Sequence, residues 1–112
     1  MRDHTKLRAF ELADELVLKI YEATKKFLQE ETYGLTSQMR RAAVSVPSNV
    51  VEGCARESQG EYVRFLEIAF ASLRELHYQL YLKQHDTANN DELRIIETEK
   101  VLGALIRALR KT

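Results

Sequence analysis

The sequence predicts an all-α protein, an antiparallel up-down-up-down four-helix bundle in a single domain over residues 1–112. Three observations carry that expectation. Apolar residues recur at alternating spacings of three and four in four separate segments. One proline and four glycines are sparse punctuation for 112 residues, so helices should be long and connections short. No stretch sustains the apolar–polar alternation of a half-buried strand.

The first helical segment runs over about 5–27. Phe10, Ala13, Val17, Ile20, Thr24 and Phe27 follow one another at spacings of 3, 4, 3, 4 and 3, the seam of a bundle helix. Residues 29–34 are polar and close on Tyr33-Gly34, which reads as a loop. The second segment, about 36–56, places Met39, Ala42, Ala43, Val46, Val50 and Gly53 on one face. Pro47 stands in its middle. Proline has no N–H to donate and its ring crowds the carbonyl four residues back, here that of Ala43. The apolar spacing nevertheless continues in phase across it, so one helix kinked at Pro47 is expected rather than two helices.

The third segment opens on Ser58-Gln59-Gly60-Glu61, the pattern in which a serine hydroxyl and a glutamate carboxylate satisfy the free N–H groups of a helix start. Tyr62, Phe65, Leu66, Ala69, Leu73, Leu76 and Leu80 form its core face to about Lys83. Residues 85–89 read as a polar connection. The fourth segment starts at Asn89 or Asn90, both good N-caps, and carries Ile95, Thr98, Leu102, Leu105 and Leu109 at the same spacing. Arg107, Arg110 and Lys111 fall in its last turns, where cations complement the helix dipole.

Two helices carry more apolar surface than a core face needs. Val44, Pro47 and Val51 widen the arc of the second segment to roughly 200°, against the roughly 100° of a core-facing stripe. In the third, Val63, Phe70, His77 and Tyr81 form a second stripe beside the core face. Val44, Val51, Val63, Phe70 and Tyr81 are therefore candidates for an oligomer interface; scattered surface hydrophobes are the plainer reading.

Charge narrows the function classes. Seventeen Lys+Arg balance seventeen Asp+Glu, which argues against a strongly basic nucleic-acid binder but allows a local basic patch. Lys25, Lys26, Arg40, Arg41, Arg56 and Arg64 are the residues that could gather into one and contact phosphates; ordinary solvated faces are the alternative. On the second segment Arg41, Ser45, Ser48, Asn49, Glu52 and Arg56 share a polar arc. Glu52 and Arg56 are spaced for an i,i+4 salt bridge, and Asn49 is placed to bond backbone near the carbonyl that Pro47 leaves free. The Ser45, Ser48, Asn49, Glu52 stripe is thus either structural or a ligand-contacting surface.

Catalytic and metal chemistry find little support. His4, His77 and His85 are too dispersed for a metal motif. Cys54, the lone cysteine, rules out an internal disulfide and reads as a buried, inert thiol. No phosphate-cradling glycine loop or Glu-x-x-His signature occurs, so no catalytic residue, metal or cofactor is expected. No apolar run approaches the roughly 20 residues of a membrane span, and no signal-peptide apolar region follows Met1. A cytoplasmic protein without membrane contact is the expectation.

One long run resembles a known family. Tyr33-Gly34-Leu35-Thr36-Ser37-Gln38-Met39-Arg40-Arg41-Ala42-Ala43-Val44-Ser45-Val46-Pro47-Ser48-Asn49-Val50-Val51-Glu52-Gly53 looks like the signature of four-helix-bundle proteins related to the 23S rRNA intervening-sequence proteins. Arg56, Ser58, Glu61, Tyr62, Phe65-Leu66, Ile68-Ala69, Ser72-Leu73, Glu75-Leu76 and Leu80 continue it. The resemblance covers roughly residues 7–109. Leu28 stands where the family often has proline, and Ala55 and Ala71 where it often has glycine; these touch loop geometry and packing, not chemical groups. The resemblance implies an antiparallel four-helix bundle, bacterial members, and a ring-like homo-oligomer with a pentamer as the best-known state. A related branch, the accessory proteins of diversity-generating retroelements, binds a reverse transcriptase and nucleic acid through a basic surface. The family brings no catalytic residues. The expectation is a non-enzymatic oligomer that binds RNA, DNA or a nucleic-acid enzyme; the alternative is a structural or protein-interaction module with no nucleic-acid contact.

Overall fold

The computed structural model describes residues 2–25, 34–83 and 90–111. Its described residues form a short 3-10 turn, His4–Lys6, and four helices: α1 (Arg8–Thr24), α2 (Leu35–Cys54), α3 (Gln59–Lys83) and α4 (Asn90–Arg110). No strand occurs among them. The expected loops over 29–33 and 85–89, and the seam position Phe27, lie outside the described residues.

Local chemistry sets the helix ends. Asp3 Oδ1 accepts from Thr5 N (3.0 Å) and Thr5 Oγ1 (2.6 Å), which caps the opening turn. Those hydrogen bonds favour the charged carboxylate and hold the Asp3 carboxyl below its ordinary range. Gly34 precedes α2 at φ 132°, a backbone conformation that side-chain-bearing residues rarely adopt. Glu61 N donates to Ser58 Oγ (3.1 Å) at the start of α3, half of the reciprocal cap read from the sequence. α2 runs unbroken through Pro47.

α1 and α3 each pack against both α2 and α4, and the α2–α3 contact is the most extensive. The four helices enclose one apolar core. Met39, Ala42, Ala43, Val46, Val50 and Gly53 of α2 are all buried, the face read from the sequence. On α3, Tyr62, Leu66, Ala69, Leu73, Leu76 and Leu80 are buried, whereas Phe65 is half-buried. Each leucine fully removed from water contributes roughly 1.5–3 kcal/mol, so this leucine row is a major share of the driving force.

Two helices keep most of the expected seam, with Ala13, Ile20 and Thr24 of α1 and Ile95, Thr98 and Leu102 of α4 buried, but depart from it at a few positions. α1 centres on Ala9, Leu12, Ala13, Leu16 and Ile20, with Phe10 and Val17 at the margin of the core. α4 buries Ile106 where the spacing predicts Leu105, and Leu105 and Leu109 pack at the edge. Both helices carry adjacent apolar residues that offer two overlapping stripes, and the neighbouring helices select between them.

The α2–α3 seam is narrow because its residues are small. A Cβ placed on Gly53 would lie 2.9 Å from Phe65 Cβ and 3.2 Å from the Tyr62 carbonyl oxygen. Neither atom is the far end of a flexible chain, so the helices themselves would have to part. Polar groups bridge the same seam. Ser45 Oγ and Ser72 Oγ are 2.8 Å apart, and Asn49 Nδ2 donates to the Ser45 carbonyl (2.8 Å) and to Ser45 Oγ (2.9 Å).

Gly53→Ala is therefore expected to destabilise the protein. Alanine improves helix propensity by about 1 kcal/mol, but overpacking of this seam costs about 1–3 kcal/mol, and the steric cost wins because its opponents are fixed. Urea unfolding should show a lower midpoint; an unchanged or higher midpoint would contradict the close approach.

Candidate nucleic-acid interface

The basic residues named from the sequence do not form one cluster. Arg40 and Arg41 lie in the first half of α2, facing the C-terminal turn of α1, where exposed Lys25 also sits. Arg56 follows the other end of α2, and the 14 positions from Arg40 to Cys54 correspond to about 21 Å of helix. Arg64 stands with Arg56 beside Phe65, at 5.9 and 4.7 Å from its ring centroid. Lys26 lies outside the described residues.

The two groups differ in electrostatics. Arg56 Nη2 is 3.0 Å from Glu52 Oε1, and Arg56 Nη1 is 4.0 Å from Glu61 Oε1, so carboxylates already answer its charge. The i,i+4 pair with Glu52 is the one anticipated from the sequence. Arg40 and Arg41 have no carboxylate partner among the described residues.

Arg40 is held in a specific pose. Its Nε donates to Thr24 Oγ1 (2.8 Å), its Nη2 donates to the Tyr21 carbonyl (3.1 Å), and its guanidinium lies 4.4 Å from the Tyr21 ring centroid. Thr24 is fully buried and donates its own hydroxyl proton to the Ile20 carbonyl (2.6 Å). A guanidinium carries five N–H donors in a rigid plane, and this anchoring uses two of them. Ordering a long side chain in advance removes an entropic cost from any later binding event. Tyr21, Thr36, Ser37, Arg40, Arg41 and Val44 together line a surface cleft of about 460 Å³. Sequence spacing gives no sign that Tyr21 and Thr24 partner Arg40, beyond the fall of Thr24 on the α1 seam.

The polar stripe divides. Ser45 and Asn49 turn to the α2–α3 seam and bond there, whereas Glu52 faces Arg56, and Ser48 is exposed. The candidate interface residues divide too. Val44, Val51 and Tyr81 are exposed, whereas Val63 and Phe70 are half-buried and pack against the core of the same chain. His77 Nδ1 is 3.0 Å from Glu99 Oε2, which Arg74 Nη1 also approaches to 3.2 Å, so this histidine belongs to an α3–α4 polar bridge. No group of three or more metal-ligating side chains gathers among the described residues, and no helix among them is long and apolar enough to cross a membrane.

At the opposite end of α2, Arg2 ties the N-terminal arm to the bundle. Arg2 N donates to the Cys54 carbonyl (3.1 Å), Arg2 Nη1 donates to the Arg56 carbonyl (2.8 Å), and the guanidinium lies 4.1 Å from the Tyr62 ring centroid. Burial pushes the Cys54 thiol up, further from the reactive thiolate. Burial, reinforced by the neighbouring Cys54, pushes the Tyr62 phenol up to about 12.

The model of the 23S rRNA-intervening sequence protein family matches residues 5–107. A crystal structure of a protein of unknown function from the S23 ribosomal protein family of Bacteroides thetaiotaomicron superposes with a TM-score of 0.76. The two chains share 17% identity over 88% of this chain and 95% of that one. No curated protein matches the chain.

Ionisation of the buried Tyr62 phenol should destabilise the fold at alkaline pH. A group whose folded-state pKa is raised keeps its full stabilising contribution below the unfolded value, near 10, and loses it as pH climbs toward the folded value of about 12. Roughly 2–3 kcal/mol should disappear over that window. Chemical unfolding at pH steps between about 9 and 12 checks it. The loss should be shallower in Tyr62→Phe, and identical slopes in the two proteins would contradict the assignment.

Proposed function

We propose, from the premise that the chain belongs to the 23S rRNA-intervening sequence protein family, that it is a non-enzymatic, homo-oligomeric bundle that binds nucleic acid through the Arg40–Arg41 cleft. The observation that carries this reading is the pair of adjacent guanidiniums with no carboxylate partner among the described residues, one of them fixed against a half-exposed tyrosine. Arginines contact phosphate oxygens, and an aromatic–guanidinium surface accepts unstacked bases, so a structured RNA with unpaired nucleotides is the best-matched ligand. A nucleic-acid enzyme such as a reverse transcriptase is a partner of the same reading, held through the RNA or beside it.

Several features support the architecture that goes with it. Ser45–Ser72 and Gly53–Phe65 pair α2 with α3 in opposite sequence directions, and Phe70–Gly103 and His77–Glu99 do so for α3 and α4. An antiparallel up-down bundle, bent at Pro47, is consistent with those pairs. The exposed Val44, Val51 and Tyr81 favour self-association, in a ring for which five copies is the expected number. The buried Cys54 offers no ready nucleophile, in keeping with a binding role rather than catalysis, and we place that role in the cytoplasm.

Fluorescence anisotropy with a labelled stem-loop RNA, titrated at several salt concentrations, tests the proposal. Arg40→Ala/Arg41→Ala should weaken binding at least about 10-fold and lower the salt slope by roughly two. Arg56→Ala, whose charge is already paired, should stay within about twofold. Absence of binding by the wild type at low salt would overturn the reading and leave the protein-interaction module in its place.

A further inference from the structure

Leu18 is the most exposed of the large hydrophobic side chains in the described residues, at 67%. At 100° per residue it occupies the centre of the outward face of α1, and Glu11, Asp14, Glu15 and Glu22 all fall within about 60° of it. All four carboxylates are on exposed residues. Glu11 is engaged by Arg8, whereas Asp14, Glu15 and Glu22 have no cationic partner among the described residues. Lys25, also exposed, falls about 20° from Leu18 at the C-terminal end of the face, so the result is an apolar knob in a collar of four carboxylates and one cation.

A matching recess lies elsewhere on the molecule. Between α3 and α4, Glu67, Phe70, Gly103, Ile106, Arg107 and Arg110 line a groove of about 380 Å³. Its floor is apolar, and the side chains of Phe70 and Arg107 lie over Gly103: a Cβ there would come within 3.5 Å of Phe70 Cε2 and 3.3 Å of Arg107 Nη1. Two guanidiniums rim it. Arg110 pairs with Glu67, while Arg107 has no carboxylate partner among the described residues. Knob and groove belong to different helices, and the α1 face that carries Leu18 is the one turned away from the core.

We propose that Leu18 of one copy seats in the Phe70–Gly103–Ile106 groove of a second copy, with Arg107 and Arg110 meeting the acidic collar. This rests on the self-association read above and names a pair of faces for it besides the exposed Val44, Val51 and Tyr81. The two patches differ, so the contact is head-to-tail, and repetition of it closes a ring or extends a filament according to the rotation between copies. Apolar fit supplies the attraction, and opposite charges set orientation and exclude like-with-like pairing of two knobs or two grooves.

Sedimentation velocity on the full chain tests this. Asp14→Lys/Glu15→Lys and Arg107→Glu change exposed positions, and each variant should raise the dissociation constant of assembly at least about 10-fold. Combining all three substitutions in one chain should restore assembly, because the reversed collar then meets a reversed rim. Recovery also shows that the variants fold. If the wild type assembles and every variant assembles equally well, self-association stands but this assignment of faces falls. If the variants are weakened and their combination does not recover assembly, the charge pairing falls. A wild type that remains monomeric at about 100 µM overturns the self-association reading and this proposal together.

Discussion

The close approach of α2 and α3 is the constraint on which the other features depend. With no side chain at Gly53, the Phe65 Cβ and the Tyr62 carbonyl come to distances that an alanine methyl could not share. Ala42, Ala43 and Ala69, all buried, keep the core faces of the two helices slim over the rest of their length. A narrow seam brings Ser45 and Ser72 into hydrogen-bond range, and Asn49 bonds the Ser45 carbonyl of its own helix beside Pro47. The chain thus places polar side chains at a proline-containing stretch and satisfies them locally, which limits the desolvation cost. α1 packs on α2, α4 packs on α3, and the two meet each other to close the bundle.

The same pair positions the surface that carries function. Arg40 projects from the opposite half of α2 to Gly53, and α1 is packed against that half so that Thr24 and Tyr21 grip the guanidinium. A threonine that is itself buried and bonded to the helix backbone makes a firmer anchor than a solvated side chain, because it has no water to exchange with. At the far end of α2, Arg56 is drawn into a carboxylate pair and the Arg2 arm covers Tyr62. α2 therefore presents an unneutralised cation pair in its first half, whereas the one arginine that follows its other end, Arg56, is answered by carboxylates. Net charge alone, which is zero, hides that asymmetry.

Much of this is legible in the sequence, and the exceptions have physical causes. The core face of α2 can be read residue by residue because Met39 to Gly53 offer a single coherent stripe. α1 is harder: Phe10 and Val17 compete with Ala9, Leu12 and Leu16, and both series repeat at helical spacing, so only the packing of α2 and α4 decides. Leu105 against Ile106 is the same ambiguity in α4. The family signature is readable because it spans an unbroken run, and the family match over residues 5–107 agrees with it. The Arg2 bond to the Arg56 carbonyl joins positions 54 apart, and the Thr24–Arg40 bond joins positions 16 apart. No local pattern encodes such pairs; they exist only once the helices have been brought together. Residue type and number leave open whether the basic residues gather into one patch or lie on separate solvated faces, and helix length separates Arg40 and Arg41 from Arg56 and Arg64.

Native-state hydrogen exchange tests the central role of the α2–α3 pair most directly. If this seam is the last structure to open, the amides of Val46, Val50, Leu66, Ala69 and Leu73 will be the slowest in the protein, and will exchange only through global unfolding. The amides of α1 and α4 should exchange faster, through partial openings that leave the pair intact. Rapid exchange at Val46 and Val50, with slower exchange in α1 or α4, would contradict the account, because α2 would then be opening at Pro47 while the rest of the bundle held.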